Sequence, residues 1–320
     1  MGAPKVRILL AGGTGYIGSA VATELAARGY EVIALVRDPN AAVSSCKTVV
    51  VDLLDPDNLR RKLAPYQFGA VISCIASRTG APRDAWRVDH DANQNLLALA
   101  QTHGAAQFVL LSAICVQRPR LAFQYAKLSF EQALIQSDLS YSIVRPTAYF
   151  RSLSGQIERV KSGKPFLVFG DGKRTACKPI AERDLATYVV DCLEKPSRRN
   201  RVLPIGGPGP AITLRDQGEL IFELAGMTPK FRSVPPSLFT AVAALLRPIG
   251  WLVPAVAAKA EFARIGHYYA TESMLVWDEV NRRYDAERTP STGEITLRQH
   301  YEKILQDGIA QHDAKEHRIF

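Results

Sequence analysis

The sequence predicts an α/β protein with a doubly wound parallel sheet, and two features of its first half carry this prediction. Short apolar runs alternate with amphipathic segments six times before residue 147. A glycine-rich turn, from Gly12 to Gly18, separates the first apolar run from the first amphipathic segment. Because strands joined by crossover helices form parallel sheets, we expect a Rossmann sheet followed by a smaller C-terminal substrate-binding region.

The predicted elements follow one another without an internal repeat or a low-complexity tract. The expected strands are 6–10, 31–36, 48–51, 70–74, 108–112 and 141–145. The expected helices are 16–28, 55–63, 84–102, 123–136 and 182–194, followed by one that Thr213 caps with Asp216 at its third position. We therefore expect a Rossmann domain over 1–235, with substrate-facing insertions around 147–180, and a smaller region over 236–320.

Composition limits the class of protein and of partner. The chain has 320 residues, of which 47% are hydrophobic and 22% charged, as in ordinary soluble domains. Its formal net charge of +9 favours an anionic partner, but the basic residues are scattered, so we expect no nucleic acid. The five cysteines form no CxxC pair, which argues against a metal or iron–sulfur site and favours a reducing compartment.

The glycine turn has the context of a dinucleotide site. It joins a predicted strand to a predicted helix, whose N-terminal amides and dipole attract phosphate. The glycines are spaced GxxGxxG, which suits a tight turn, close approach of the pyrophosphate and packing of the helix on the strand. The residues assigned to the cofactor here are Gly12, Thr14, Gly15, Tyr16, Ile17 and Gly18.

Further cofactor contacts are expected where later strands end. Arg37 ends the second strand, where an arginine can pair with a 2′-phosphate, so NADPH is favoured; Asp38 follows at once and keeps NAD open. Asp52 and Leu53 follow the third strand, at the adenine edge. The remaining assigned residues are Ala76 and Ser77 after the fourth strand, Pro146 after the sixth, and Lys127.

The catalytic pattern of short-chain reductases is only partly present. Ser112 ends the fifth strand and Lys127 opens the next helix, as in that pattern. The residue four before Lys127 is Phe123, which has no proton to donate. Tyr125 is two residues before Lys127 and therefore points to a different helix face. A carbonyl reductase needs an acid for its alkoxide, whereas reduction of a conjugated carbon–carbon double bond can spread the charge instead.

Several longer segments resemble one family of atypical, isoflavone-reductase-like short-chain reductases, the NADPH-dependent divinyl chlorophyllide a 8-vinyl reductases. The resemblance covers most of the chain, and Phe123 agrees with it. The segments that carry it are 112–117, 123–127, 145–150, 169–173, 177–180, 203–209 and 264–274.

The resemblance implies reduction of a C8 vinyl group to ethyl in the synthesis of chlorophyll or bacteriochlorophyll, with NADPH as hydride donor. It implies that Lys127 holds the nicotinamide ribose, with Ser112 and Tyr149 as further catalytic candidates. Its partner would be divinyl chlorophyllide a or a related pigment. The proton donor, the exact pigment, the hydride face and the oligomeric state stay open.

Other functions stay open beside this one. The missing tyrosine motivates an NADP-binding sensor or scaffold of the same fold without turnover. A nucleotide-sugar epimerase or carbonyl reductase would need the tyrosine that position 123 lacks.

The stretch 238–258 is the longest apolar run, and it contains Trp251. Arg247, Pro248 and Pro254 interrupt it, so we expect a pair of packed helices and no transmembrane span. A wall for the pigment or a shallow membrane contact is the alternative. His267, Tyr268 and Tyr269 could line the pocket or ligate the pigment's magnesium, although a structural role is favoured for His267. No targeting segment precedes the first predicted strand, so we expect a cytoplasmic, bacterial protein, with contact to the photosynthetic membrane left open.

Overall fold

The computed structural model describes residues 6–250 and 254–307. The strands, in chain order, are β1 (Arg7–Ala11), β2 (Glu31–Val36), β3 (Lys47–Val50), β4 (Ala70–Ser73), β5 (Gln107–Leu111), β6 (Ser140–Pro146), β7 (Phe166–Phe169), β8 (Ala176–Cys177), β9 (Arg201–Ile205), β10 (Ile212–Thr213), β11 (Phe231–Val234), β12 (Val276–Asp278) and β13 (Arg283–Asp285).

The α-helices are α1 (Tyr16–Ala27), α2 (Pro56–Leu63), α3 (Pro82–Ala85), α4 (Ala92–Thr102), α5 (Ala122–Ile135), α6 (Phe150–Leu153), α7 (Ile157–Lys161), α8 (Glu182–Glu194), α9 (Leu214–Leu224), α10 (Ser237–Gly250), α11 (Pro254–Thr271) and α12 (Leu297–Asp307). A π-helical turn, Trp86–Asp91, joins α3 to α4, and short 3₁₀ turns cover Ile114–Gln117 and Pro196–Arg198.

Seven strands form one sheet in the order β3-β2-β1-β4-β5-β6-β9. The pairings from β3 through β6 are all parallel. The chain winds outward from β1 in both directions, because β2 and β4 lie on its two sides. This is the doubly wound arrangement, and the predicted fold class is confirmed.

The predicted sheet lacked one strand. No strand was predicted after 141–145, yet Arg201–Ile205 forms β9, which includes Pro204. Proline removes a ladder hydrogen bond and is therefore tolerated at an edge, which is where β9 lies. The predicted helix 84–102 also differs, since its first part is α3 and the π-helical turn.

The described residues divide into two compact units. Unit 1 consists of the described residues within 1–77, 82–146 and 182–203. Unit 2 consists of the described residues within 78–81, 147–181 and 204–320. This division differs from the predicted boundary after residue 235. The reason is strand pairing: β7 pairs with β11 and β8 with β10, which joins the segment before 181 to the segment after 204. Helix α8 lies in unit 1.

The core of unit 1 lies on the sheet. The buried cluster includes fully covered side chains from each of five parallel strands, among them Leu9, Ile33, Val71, Phe108 and Ile143. Every residue of β4 and β5 is buried, as expected for central strands with helices on both faces. The rigid centre of the sheet therefore supports the loops at its carboxyl edge.

Unit 2 has a separate core and only two-stranded sheets among its described residues. The core contains Phe150, Phe166, Phe222 and Tyr301. The Tyr301 hydroxyl donates to the carbonyl oxygen of Leu153 at 3.0 Å, which ties α12 to α6.

Helices α10 and α11 pack against each other, so the predicted helix pair is confirmed. Helix α10 continues to Gly250, although Pro248 was expected to interrupt the run. Trp251 lies outside the described residues. No helix in the described part of the chain has the length and apolar character needed to cross a bilayer.

Candidate active site

The turn between β1 and α1 requires glycine at two of the three predicted positions. Gly12 has a φ of +83°, and a Cβ there would lie 2.7 Å from the carbonyl of Cys74. A Cβ on Gly18 would lie 2.0 Å from the carbonyl oxygen of Gly12. Gly15 has an ordinary φ of −81°, and the nearest atom to its Cβ would be 3.3 Å away. The protein itself therefore does not demand glycine at 15, although a ligand that approaches the backbone there would.

The N-terminus of α1 has the properties of an anion site. Gly15 is its N-cap and supplies no side-chain hydrogen bond, and the first turn holds no acidic residue. Tyr16, Ile17 and Gly18 contribute the first amides of the helix, where the dipole is positive. A dinucleotide pyrophosphate fits this cradle, because Gly15 leaves the approach without a Cβ.

The side chains of the turn have different roles. Thr14 is exposed at the tip, and Ile17 is buried. The Tyr16 hydroxyl donates to Glu182 at 2.7 Å, which anchors the start of α1 to the start of α8. If Tyr16 contacts a cofactor, its backbone amide rather than its hydroxyl is the group at the right place.

Arg37 follows β2 and is exposed. It forms no ion pair with any residue the structure describes. The neighbouring Asp38 uses its carboxylate locally, because Oδ1 accepts from the Asn40 amide at 2.9 Å. The Asp38 carboxylate, which was the argument for NAD as the cofactor, is thus hydrogen-bonded within a turn. The Arg37 guanidinium has no carboxylate partner among the described residues and can pair with a phosphate.

The other predicted cofactor residues also follow parallel strands at the same sheet edge. Asp52 accepts from the Leu54 amide at 2.9 Å, and the Leu53 carbonyl accepts from Asn95 at 2.8 Å. Ala76 is exposed and Ser77 half-buried beyond β4, while Pro146 is buried at the end of β6. The structure therefore places these residues along one edge, as the doubly wound topology requires.

Lys127 lies on α5 and is only 8% exposed. Its Nζ lies 2.9 Å from Oδ1 of Asp89, which is 1% exposed in the π-helical turn. The two Asp89 oxygens also accept long hydrogen bonds, both 3.4 Å, from the Ser77 amide. Two predicted site residues, Lys127 and Ser77, thus meet at a carboxylate that the sequence analysis missed.

A signal for Asp89 was present in the sequence. The predicted helix 84–102 has an apolar stripe that includes Ala85, Ala92 and Leu96. Asp89 falls on that stripe at helical spacing, and a carboxylate on a buried face requires a partner. The partner itself was not apparent, because Lys127 is far away in sequence.

Ser112 contacts a second carboxylate, that of Glu131, which lies on α5 with Lys127. It is 3% exposed, and its hydroxyl donates to Glu131, which is one helical turn after Lys127. Arg145 forms an ion pair with the same carboxylate, and its Nε lies 3.2 Å from Glu131 Oε1. The Ser112 proton is therefore already donated within the protein. Glu131 and Arg145 were not predicted as site residues.

The structure confirms that Tyr125 and Lys127 lie on different faces of α5. Tyr125 is 50% exposed, and its hydroxyl donates to the Pro119 carbonyl at 3.1 Å. Phe123 is half-buried at the place of the missing tyrosine. Tyr125 is therefore no substitute for a proton donor beside Lys127.

Cys74, which follows β4, is an inert neighbour of the site. Burial raises the pKa of its thiol to about 12, against the opposing effect of the positive charge of Lys127. The thiol therefore stays protonated near neutral pH and is no nucleophile.

Tyr149 belongs to unit 2, whereas Lys127 and Ser112 belong to unit 1. It is half-buried at the N-cap of α6, and its backbone forms a bridge to Ile180. His267 is half-buried on α11, where its carbonyl accepts from the Thr271 hydroxyl at 2.8 Å. Catalytic or pigment-binding roles for these residues stay predictions.

Comparisons with known proteins agree with this geometry. Residues 12–196, which include the glycine turn and Lys127, match a family model described as NAD(P)H-binding. The divinyl chlorophyllide a 8-vinyl-reductase of Zea mays is 44% identical, with 99% of this chain and 84% of the relative covered. The chain belongs to this reductase family. The Arabidopsis thaliana reductase is also 44% identical, with 96% of this chain and 79% of the relative covered.

These identities confirm the resemblance to vinyl reductases that the sequence segments indicated. Both plant relatives are named as chloroplastic proteins, so they give no support to a bacterial cytoplasm for this chain. Among solved structures, UDP-glucose 4-epimerase from Thermotoga maritima matches with a TM-score of 0.61 and 20% identity, over 71% of this chain and 86% of that chain. That likeness concerns the fold alone.

Proposed function

We propose that this protein uses NADPH to reduce the C8 vinyl group of a divinyl chlorophyllide to ethyl. The observation that carries the proposal is the 44% identity to vinyl reductases over 99% of the chain. The site agrees with it, because Lys127 is retained while position 123 has no acid for an alkoxide.

The cofactor would lie along the carboxyl edge of the sheet. The backbone of the glycine turn and the first amides of α1 would hold the pyrophosphate. Arg37 would pair with the 2′-phosphate, which selects NADPH over NADH. Asp52 and Leu53 would border the adenine, while Ala76, Ser77 and Pro146 would border the nicotinamide half. When bound, the cofactor supplies the hydride.

The remaining chemistry needs little acid catalysis. A hydride added at the terminal vinyl carbon leaves negative charge that spreads over the conjugated macrocycle, and the inner carbon then takes a proton. Lys127 would donate hydrogen bonds to the nicotinamide ribose and stabilise the developing charge. Ser112, whose proton goes to Glu131, would accept rather than donate. Tyr149 is retained as a catalytic candidate.

The test is an anaerobic incubation of the purified protein with NADPH and divinyl chlorophyllide a, followed by mass analysis of the pigment. We expect a gain of two hydrogens that requires NADPH and no ferredoxin. Lys127→Ala should lower this activity strongly. Tyr125→Phe is the matched control on the same helix, because its exposed hydroxyl bonds only to Pro119 among the described residues.

A sensor or scaffold without turnover is the second candidate, and the absence of tyrosine at position 123 is what favours it. Tight NADPH binding by a protein that leaves every divinyl pigment unchanged would support it. Steady NADPH oxidation with the pigment would exclude it.

We also propose that the protein contacts a membrane surface through α10. Leu238, Val242 and Leu245 lie at helical spacing on α10 and are 51%, 38% and 74% exposed. No acidic residue occurs between Glu223 and Glu261, so this surface suits an anionic bilayer. Leu245→Gln should weaken flotation with anionic liposomes without lowering NADPH binding. A protein that never floats would remove this proposal and leave the reductase intact.

A further inference from the structure

Asp89 is a buried carboxylate to which the proposed reaction assigns no role. It lies in the π-helical turn Trp86–Asp91, between α3 and α4. Such turns are uncommon, and they occur often at functional sites. At 1% exposure, an ionised carboxylate must have partners to offset its lost hydration.

Two residues of unit 1 supply those partners. The Asp89 carboxylate pairs with Lys127 of α5 and accepts from the Ser77 amide beyond β4. Its backbone carbonyl accepts from Asn93 Nδ2 at 3.0 Å. Asn93 in turn accepts from the Ser73 hydroxyl of β4 at 2.6 Å. These contacts give Asp89 a defined position relative to the end of β4.

Lys127 has more donors than this ion pair uses. An ammonium group carries three N–H bonds, and its long stem has many rotamers. Apart from Asp89, no residue in 6–250 or 254–307 accepts from it. One partner thus determines the direction of the head group, while its other protons remain available to a ligand.

The neighbouring carboxylate on α5, Glu131, is arranged differently. Both oxygens of Glu131 bond to Arg145, and one also accepts from Ser112. Each partner of Glu131 comes from the end of a strand, so this pair joins α5 to β5 and β6. The pair of Asp89 and Lys127 instead leaves its cation with unused donors at the edge where the cofactor residues lie.

We propose that Asp89 is a positioning residue, which orients the Lys127 ammonium for the nicotinamide ribose and holds the loop after β4 by accepting from the Ser77 amide. The inference rests on the role proposed for Lys127. Asp89 touches neither cofactor nor pigment in this proposal and acts through Lys127. Its loss should therefore weaken cofactor binding without removing a chemical group from the reaction.

The test is a double-mutant cycle with Asp89→Asn and Lys127→Ala, read as the Kd of NADPH from its fluorescence. Asparagine keeps the shape of aspartate and removes its charge. We expect each single variant to raise the Kd about tenfold, the change that loss of one hydrogen bond to a charged group produces. The double variant should bind NADPH no more weakly than Lys127→Ala, because Asp89 has no effect without its lysine.

Kinetics with the pigment separate positioning from general damage. Asp89→Asn should raise the KM for NADPH and lower kcat less than Lys127→Ala does, because the ammonium that stabilises the developing charge is kept but no longer oriented. Asp89→Glu restores the charge and should recover part of the affinity. The matched control is Asp191→Asn, which breaks a buried ion pair with Arg28 elsewhere in unit 1 and should leave the Kd of NADPH unchanged.

Two outcomes would overturn the proposal. One is an Asp89→Asn variant with the affinity of the wild type. The other is a penalty of equal size in the wild-type and the Lys127→Ala backgrounds, which would show that Asp89 acts independently of the lysine. A wild-type protein that binds NADPH but reduces no pigment would instead refute the proposed function, and the binding cycle would still be interpretable.

Discussion

Units 1 and 2 each contain a backbone crossing too close for any residue but glycine. In unit 1 a Cβ on Gly18 would lie 2.0 Å from the Gly12 carbonyl oxygen, and in unit 2 a Cβ on Gly207 would lie 1.9 Å from that of Pro179. The first crossing joins residues six apart and is visible as a spacing in the sequence. The second joins distant segments, so no local pattern shows it. The same steric requirement for glycine is therefore visible as a sequence motif in unit 1, whereas in unit 2 only the structure shows it.

The comparison predicts the largest effect for Gly18→Ala. The added methyl group cannot move away, because its neighbours are backbone atoms of the turn that caps α1. We expect the free energy of unfolding to fall by about 3 kcal/mol and NADPH binding to be lost. Chemical denaturation and NADPH titration measure the two effects. Retention of wild-type affinity would show that the turn tolerates a shift of α1.

In unit 2, Gly207→Ala should have a similar effect on stability and a much smaller one on NADPH binding. The added methyl group would push 206–207 away from 177–180. The Gly207 amide would then lose its hydrogen bond to the Lys178 carbonyl, which is 3.1 Å long in the wild-type protein. Gly209→Ala is the control in the same loop. No atom lies within 4 Å of its Cβ, although φ is +89°, so we expect only a strain cost of about 1 kcal/mol. Thermal unfolding of both variants checks this order.

Gly15→Ala separates the ligand requirement from the structural one. Its Cβ would meet one backbone oxygen at 3.3 Å, and its φ is ordinary for alanine. We expect little loss of stability but about tenfold weaker NADPH binding, because a methyl group would stand where the pyrophosphate approaches. Unchanged affinity would contradict placement of the pyrophosphate at this helix N-terminus.

The smallest expected effect is a difference between the two units in how their stability depends on pH. Burial would raise the pKa of Asp191, but hydrogen bonds from Lys195 and Arg28 outweigh it and leave the pKa below its ordinary value. Hydrogen bonds from Asn281, with a further one from Arg288, hold the pKa of Asp278 in unit 2 much further below its ordinary range. A lowered folded-state pKa gives stability that is present above about pH 4 and is lost as the pH falls through the folded value.

Unit 1 should therefore lose its Asp191 contribution first on acidification, and unit 2 its Asp278 contribution at lower pH. Hydrogen exchange between pH 5 and 2, read for each segment, measures both losses. Asp191→Asn should remove the acid dependence around α1 and α8 and leave that of residues 276–288 unchanged. Simultaneous loss in both units would show that they unfold together.

Much of unit 1 was predictable because its signals are local. Apolar runs four to six residues long marked β1 through β6, and the spacing of Gly12, Gly15 and Gly18 marked the turn. The failures were non-local: Pro204 obscured the edge strand β9, and the domain boundary was placed after 235 because the pairing of β7 with β11 leaves no local trace. Asp89 and Glu131 were missed since their partners lie far along the chain.

The sequence alone determined the doubly wound sheet, the nicotinamide-nucleotide fingerprint and the absence of a tyrosine before Lys127. These follow from periodicity, from steric demands over a few residues and from the identity of one side chain. Tertiary structure decided which carboxylates meet Lys127, Ser112 and Arg145, and how three chain segments form unit 2. Burial and ion pairing depend on contacts between distant residues, and only the folded chain brings those residues together.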